Sequence, residues 1–371
     1  MIVGCVKEIM NNEFRVGIVP DHVQMYVGAG HRFLIENDAG IAAGYTNEEY
    51  QQAGAEIFED ASSIWNQSEM IIKVKEPLPS EFDYLRKGLI IFTFFHLAAN
   101  RRLTEVLLEK EVTAVAYETI TDEEGRLPIL KPMSEIAGRL SIQEGAKYLE
   151  KQYGGSGVLL SGVSGVTRGK VLVLGCGVVG QNAIRTAIGF GAQVVVMDKN
   201  GSRLEAMDLM YRNNVQTVFM TEGALRRELT NTDVVVGSIL VPGENTPKVL
   251  RREHLKLLRP GSVIVDVAVD QGGCAETSRP TTHDNPIYIE EGIIHYCVSN
   301  MPGCVPFTST NSLVNATMFH GLHIAGSGIE AAVLFDSHLA QGINCYKGHV
   351  THQGLAHSLE MEYVNPISLM K

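Results

Sequence analysis

Lys170-Val-Leu-Val-Leu-Gly175-Cys-Gly177-Val-Val-Gly180 decides how this chain folds. An apolar run breaks into G-x-G-x-x-G and passes into a helix-like stretch at 181–191. A second apolar run, Gln193-Val-Val-Val-Met-Asp198, follows and ends in an acid. Strand, glycine turn, helix, strand and acid, in that order, are what a dinucleotide site requires. Gly175 permits the tight turn, and Gly177 lets backbone amides approach a pyrophosphate. Gly180 lets helix and strand pack closely, and the phosphates meet the positive helix end. Asp198, 23 residues after Gly175, can accept hydrogen bonds from a ribose 2′-hydroxyl and would repel a 2′-phosphate, which favours NAD over NADP.

Outward from this unit the same alternation continues. Strands are expected at 170–174, 193–197, 215–219, 233–239 and 262–267, with a further candidate at 294–298. The first third reads likewise, with strands at 2–6, 31–36, 70–74, 88–94 and 113–117, and helices such as 47–53 and 102–110 between them. Continuous apolar strands alternating with helices indicate a parallel sheet covered on both faces. A helix is expected from Ser134, as its N-cap, to about residue 153. A long buried helix is expected over 310–325, and the tail at 331–371 reads as helical with polar turns. The fold class is α/β, with two doubly wound, Rossmann-like domains. The cofactor domain, 134–306, is inserted into one built from 1–133 and 307–371.

The bulk numbers agree with an ordinary globular chain. Its 371 residues suffice for two or three domains, with 45% hydrophobic and 20% charged residues. Its 31 basic against 42 acidic residues give a net charge of −11. No block of Lys and Arg stands out, which argues against nucleic acid or an anionic membrane as partner. The longest apolar stretch, 88–99, is too short to span a bilayer and contains His96. The N-terminus shows no signal-peptide pattern, so a cytoplasmic location is expected. The six cysteines show no C-x-x-C spacing and read as buried thiols in a reducing compartment, and no metal site is expected. The tail histidines His338, His349, His352 and His357 read as exposed or capping. No G-x-S-x-G elbow and no P-loop lysine is present.

In parallel α/β sheets, ligands bind beyond the carboxyl ends of the strands. Arg15 lies in the loop after the first strand, Lys75 after 70–74, His96 after 88–95 and Asp270 after 262–269. Each alone has an ordinary explanation as a solvated charge, a core histidine or a helix cap. Together they suit a small carboxylate substrate. Arg15 could hold its carboxylate in a fork, and Lys75 could polarise a carbonyl or oxyanion. His96 is the natural acid/base, and Asp270 could orient it or position water.

Across essentially its whole length the chain resembles alanine dehydrogenases. The resemblance is carried by Asn11-Asn-Glu-Phe-Arg-Val16, Lys73-Val-Lys-Glu-Pro77, Phe92-Thr-Phe-Phe-His-Leu-Ala98 and Pro132-Met-Ser-Glu-Ile-Ala-Gly-Arg139. Asp266-Val-Ala-Val-Asp-Gln-Gly-Gly-Cys274, Ser278-Arg-Pro-Thr-Thr282 and Tyr346-Lys-Gly-His-Val-Thr351 extend it. It implies NAD-dependent oxidative deamination of L-alanine to pyruvate and ammonium, with the reverse amination, in a homo-oligomer that is usually hexameric. By motif match Arg15 and Lys75 are the substrate-binding pair, and His96 and Asp270 the catalytic pair. Besides the glycine turn, contacts to NAD are implied for Ser134, Val178, Val179, Asp198, Arg203, Ile239, Leu240, Val267, Ala268, Val269 and Asp270. Arg279, Val298, Ser299, Asn300 and Met301 complete that set. Met220 departs from the pattern, standing where a serine is expected near the adenine. The rival readings are the NAD-binding component of a nicotinamide nucleotide transhydrogenase, a saccharopine dehydrogenase-like enzyme, and a non-catalytic NADH-binding regulator.

Overall fold

Short runs of Val, Ile, Phe and Ala, buried on both faces, make the central strands, so each sheet is covered on both sides. A computed structural model describes residues 1–239 and 246–370. The chain packs as two compact units, one formed by Met1–Met133 with Gly303–Lys371 and the other by Ser134–Pro302.

In the first unit six parallel strands lead: β1 (Ile2–Cys5), β2 (Arg32–Glu36), β3 (Glu56–Phe58), β4 (Met70–Ile72), β5 (Ile90–Thr93) and β6 (Thr113–Ala116). The second unit holds β7 (Lys170–Leu174), β8 (Gln193–Asp198), β9 (Gln216–Phe219), β10 (Val234–Gly237), β11 (Val263–Asp266), β12 (Ile287–Glu290) and β13 (Ile293–Tyr296). The tail returns to the first sheet as β14 (Ile343–Tyr346) and β15 (His349–Val350). The orders are β15-β14-β6-β5-β4-β1-β2-β3 and β12-β13-β11-β10-β7-β8-β9. Both units therefore share one parallel core order, β3-β2-β1-β4-β5-β6 and β9-β8-β7-β10-β11-β13. The order reverses between β1 and β4 in one sheet and between β7 and β10 in the other. At such a switch point the carboxyl-end loops diverge to opposite faces and leave a crevice.

Several features differ from the sequence reading. The tail is not helical throughout, because β14 pairs antiparallel with β6 and turns into β15. Lys347 and Gly348 both have positive φ (47° and 78°), as a two-residue hairpin of primed type requires. A second such turn, Glu291 and Gly292, joins β12 to β13, so both sheets are mixed rather than purely parallel. The helix expected to start at Ser134 runs Leu130–Tyr148, which puts Ser134 inside it rather than at its cap. Pro132 sits in the first turn, where a missing N–H costs nothing. The helix Pro306–Ser327 is longer than expected and only partly buried, with Phe307 and Phe319 more than half exposed. Five cysteines are buried as expected, but Cys304 is exposed.

A charge cluster is buried in the first unit. Lys73 is fully buried, its Nζ 2.9 Å from Glu81 Oε1 and 3.4 Å from Glu8 Oε2. Burial by itself would lower the lysine's pKa, but the two carboxylates outweigh it and hold the ammonium charged. Replacing Lys73 by Met leaves two buried carboxylates without their counter-charge. Lys73→Met is expected to destabilise the fold by about 3–5 kcal/mol, read as a lower midpoint in chemical denaturation. An unchanged midpoint would show that the cluster contributes nothing.

Candidate functional site

In the first unit the parallel strands bring their carboxyl ends to one edge, and the loops there carry Arg15 after β1, Lys75 after β4 and His96 after β5. These strands are neighbours in the order β5-β4-β1, around the switch point. Glu13 and Arg15 form a buried ion pair. Arg15 Nε donates to Glu13 Oε1 at 2.6 Å and Nη2 to Oε2 at 2.5 Å, while Nη1 lies 3.2 Å from Met133 Sδ. The side edge of the guanidinium is thus committed to Glu13, a qualification of the expected fork for a substrate carboxylate. Lys75 differs. It is half-buried, and among the described residues its ammonium has no ion pair or hydrogen bond, so its charge is available to a ligand.

His96 is exposed and holds a left-handed backbone conformation, φ 50° and ψ 38°. Its ring lies parallel to that of Phe94, with centroids 6.0 Å apart and planes at 7°. Two carboxylates tie the loops of this edge across neighbouring strands. Glu8, after β1, accepts the backbone N–H of Val74 at 2.6 Å and of Lys75 at 3.3 Å. Glu118, after β6, accepts the backbone N–H of His96 at 2.6 Å and of Phe95 at 3.2 Å. Neither glutamate stands out in the sequence.

In the second unit the glycine turn has the geometry that its spacing implies. Gly175 has φ 106°, and its N–H donates to Met197 O at 2.8 Å. A Cβ on Gly180 would come within 1.9 Å of Gly175 O, so no side chain fits there. A Cβ on Gly177 would meet nothing within 4 Å, so that face of the turn is open to a ligand. Gly177 is the N-cap of the helix Val178–Gly189, which has no side-chain cap, leaving its first amides to an incoming anion. Asp198 ends β8 nine-tenths buried. Its Oδ2 accepts Cys176 N–H at 2.6 Å and its Oδ1 accepts Asn200 N–H at 2.8 Å, locking the acid against the turn. Burial pushes the neighbouring Cys176 thiol up to about 12, with the Asp198 charge adding to it, so the thiol stays neutral. An open turn, an uncapped helix start and an anchored acid fit a dinucleotide.

The remaining candidates lie in the same unit. Ser134 lies one turn before Gly138, whose backbone packs so tightly on Val179 that a Cβ would sit 2.3 Å from Val179 O. Arg203 is exposed in the first turn of the helix Gly201–Tyr211. Ile239 follows β10 half-buried, and Leu240 lies outside the described residues. Val267, Ala268, Val269 and Asp270 follow β11, with Asp270 exposed on the 3₁₀ turn Val269–Gln271. Asp266 secures that loop, accepting from the backbone N–H of Ala268, Cys274 and Ala275 and from Ser278 Oγ. The Arg279 guanidinium lies 4.1 Å from the Tyr288 ring centroid. Val298 and Met301 are buried, while Ser299 and Asn300 are half-buried. Met220 packs into the apolar core of this unit with Leu174 and Met197.

Among the described residues Glu222, Glu253 and His254 bring possible metal-ligand atoms together. Their hydrogen bonds make them an ion-pair cluster. His254 Nδ1 accepts Arg251 N–H, so Nε2 carries the proton and donates to Glu222, while Arg226 bridges both glutamates.

Two doubly wound units, one with an open glycine turn on a helix start and an anchored acid beside it, define a two-domain α/β protein of the dinucleotide-fold class. Family models for the alanine dehydrogenase/PNT N-terminal and C-terminal domains match residues 4–137 and 141–353. The chain belongs to the alanine dehydrogenase/PNT family. It is 46% identical over 370 residues to the alanine dehydrogenase of Halomonas elongata, covering 100% of each chain. A solved L-alanine dehydrogenase superposes with a TM-score of 0.95 at 45% identity, over 97% of this chain and 99% of that one. A transhydrogenase from Sinorhizobium meliloti shares the fold, with a TM-score of 0.83 at 21% identity over 95% of this chain and 100% of its own.

The two glycines make opposite predictions. Gly180→Ala is expected to destabilise the second unit by about 1–3 kcal/mol through overpacking, whereas Gly177→Ala stays within about 0.5 kcal/mol of the parent. Thermal melts of both variants check this, and equal losses would contradict the asymmetry.

Proposed function

We propose that the chain is an NAD-dependent amino-acid dehydrogenase that converts L-alanine to pyruvate and ammonium and catalyses the reverse amination. The observation that carries this reading is the pairing of Lys75 and His96 at the carboxyl ends of adjacent strands β4 and β5, each with its backbone N–H fixed by a carboxylate. Full-length relatives named alanine dehydrogenase support it. In this reading the first unit holds the substrate and the second holds the cofactor.

The Lys75 ammonium receives the substrate carboxylate or the carbonyl oxygen of pyruvate, with Arg15 adding positive potential from its place on Glu13. His96 takes the proton that the alanine ammonium must lose before hydride can leave Cα. Having passed that proton to solvent, it takes one from the water that adds to the iminium and returns it to the nitrogen of the resulting carbinolamine, whose hydroxyl loses its proton to solvent as ammonia leaves. Asp270 positions that water. A bound NAD would supply the hydride acceptor. The amides at the start of the helix Val178–Gly189 would hold its phosphates, and Asp198 its ribose hydroxyls. The enzyme acts in the cytoplasm as a homo-oligomer, hexameric by its resemblance. No helix among the described residues is long and apolar enough to cross a membrane.

Alanine with NAD should give NADH, followed by absorbance. No NADH formation across alkaline pH, with hydride exchange between nucleotides instead, would overturn the reading in favour of a transhydrogenase component. His96→Ala should lose about 10²–10⁴ in turnover while still binding NADH. Near-normal activity would remove His96 from the chemistry. Asp198→Asn should raise the KM for NAD and relax discrimination against NADP. An unchanged preference would remove Asp198 from the ribose contact.

A further inference from the structure

His96 occupies backbone space that few side chains adopt, its own side chain exposed between the buried Phe95 and Leu97. Such a conformation persists only where something over-determines it. The packing of Phe95 and Leu97 holds the loop on either side, and Glu118 grips the His96 backbone itself. Its Oε1 accepts His96 N–H at 2.6 Å, and both its oxygens lie 3.2 Å from Phe95 N. Two successive amides converge on one carboxylate, as in a backbone nest filled by an anion. Among the described residues Glu118 has no ion pair, unlike Glu8 and Glu13, and its charge acts on these amides and on the half-buried imidazole of His352. It is carried on the short 3₁₀ turn Tyr117–Thr119 directly after β6. Thr119 Oγ1 anchors that turn by donating to Ala116 O and to Asn344 Oδ1. Tyr117 is fully buried, its ring edge-on to both Phe92 and Phe94. The carboxylate therefore comes from a rigid neighbour, and the histidine loop is what it shapes.

We infer that Glu118 is a positioning residue for the acid/base histidine: by gripping the backbone amides of Phe95 and His96 it holds the imidazole at the angle the proton transfers need. The inference rests on the proposed role of His96. Proton transfer in a bound complex is steep in geometry, and a displacement of about 1 Å can cost about 10² in rate. Substitution of Glu118 is therefore expected to lower kcat without touching nucleotide binding.

The test is a double-mutant cycle on the full-length enzyme, with kcat measured for alanine oxidation and NADH affinity by fluorescence titration. Glu118→Ala should lose about 10² in kcat with NADH affinity unchanged. Glu118→Gln keeps one acceptor oxygen and should lose about ten-fold, a partial rescue. In a His96→Ala background both substitutions should cost less than about two-fold, because the group they position is gone. Equal losses with and without His96, or parental kcat in both single variants, would overturn the inference. If circular dichroism shows Glu118→Ala unfolded, Glu118→Gln supplies the same comparison. A His96→Ala enzyme with normal turnover would instead sink the acid/base reading itself, so the two failures are distinct.

Discussion

The organising constraint of this protein is the unpaired backbone amide at the carboxyl edge of a parallel sheet. Where a strand ends, its loop leaves N–H groups without ladder partners, and a buried N–H without an acceptor costs about 1–3 kcal/mol. Here carboxylates from neighbouring strands supply the acceptors. Glu8 reaches from the β1 loop to Val74 and Lys75, Glu118 from the β6 end to Phe95 and His96, and Asp198 from the end of β8 to Cys176 in the glycine turn. Asp266 does the same within the loop that carries Asp270. Hydrogen bonds to a charged acceptor contribute about 1.5–3 kcal/mol each, more than neutral ones. Each thus adds to the packing that fixes its loop, and these are the loops that carry the candidate site residues.

The same acids sort the cations. Lys73 and Lys75 stand two residues apart in one loop, yet Lys73 is enclosed between Glu8 and Glu81 while Lys75 keeps its ammonium unpaired among the described residues. Arg15 is paired with Glu13 along one edge of its guanidinium. Of these three cations near the switch point, Lys73 is enclosed by structure, Arg15 is shared with Glu13, and Lys75 is presented. A buried ion pair adds little net stability once desolvation is counted, but losing one partner is severe. Substitutions at Lys73 and Lys75 should therefore fail for different reasons, the first through folding and the second through binding.

How much of this is legible in the sequence depends on the range of each interaction. The glycine turn can be read directly, because its constraint is local: Gly180 is required by a carbonyl five residues earlier, and Asp198 by the end of the next strand. The strand cores can be read because burial on both faces enforces continuous apolar runs. The β14–β15 hairpin is harder, because its four-residue strand takes meaning only from pairing with β6, more than 200 residues earlier. Its Lys347-Gly348 turn, like the Glu291-Gly292 turn, leaves only a faint local mark, a charged residue before glycine between apolar runs. The roles of Glu8 and Glu118 are hidden for the same reason of range. Their partners lie 66 and 22 residues away, and nothing in the residues around them marks a loop clamp.

The two sheets share a strand order and a switch point but treat an anion in different ways, and the difference lies wholly in loop residues. After β7 the turn offers backbone amides, which works because Gly177 leaves its face bare and the helix behind it has no side-chain cap. Backbone suits a phosphate, which is large, doubly accepting and able to approach the main chain. After β1 and β4 the loops offer side-chain cations instead. Under the proposed function that is what a substrate as small as alanine demands, since it is too short to reach a recessed backbone and must be met by groups that project toward it. Projection brings conformational freedom, and the glutamates that grip Lys75 and His96 by their own amides limit it by fixing the backbone from which these side chains project. The bare turn needs one such acid because glycine has no side chain to orient, whereas each projecting residue on the other sheet has its own.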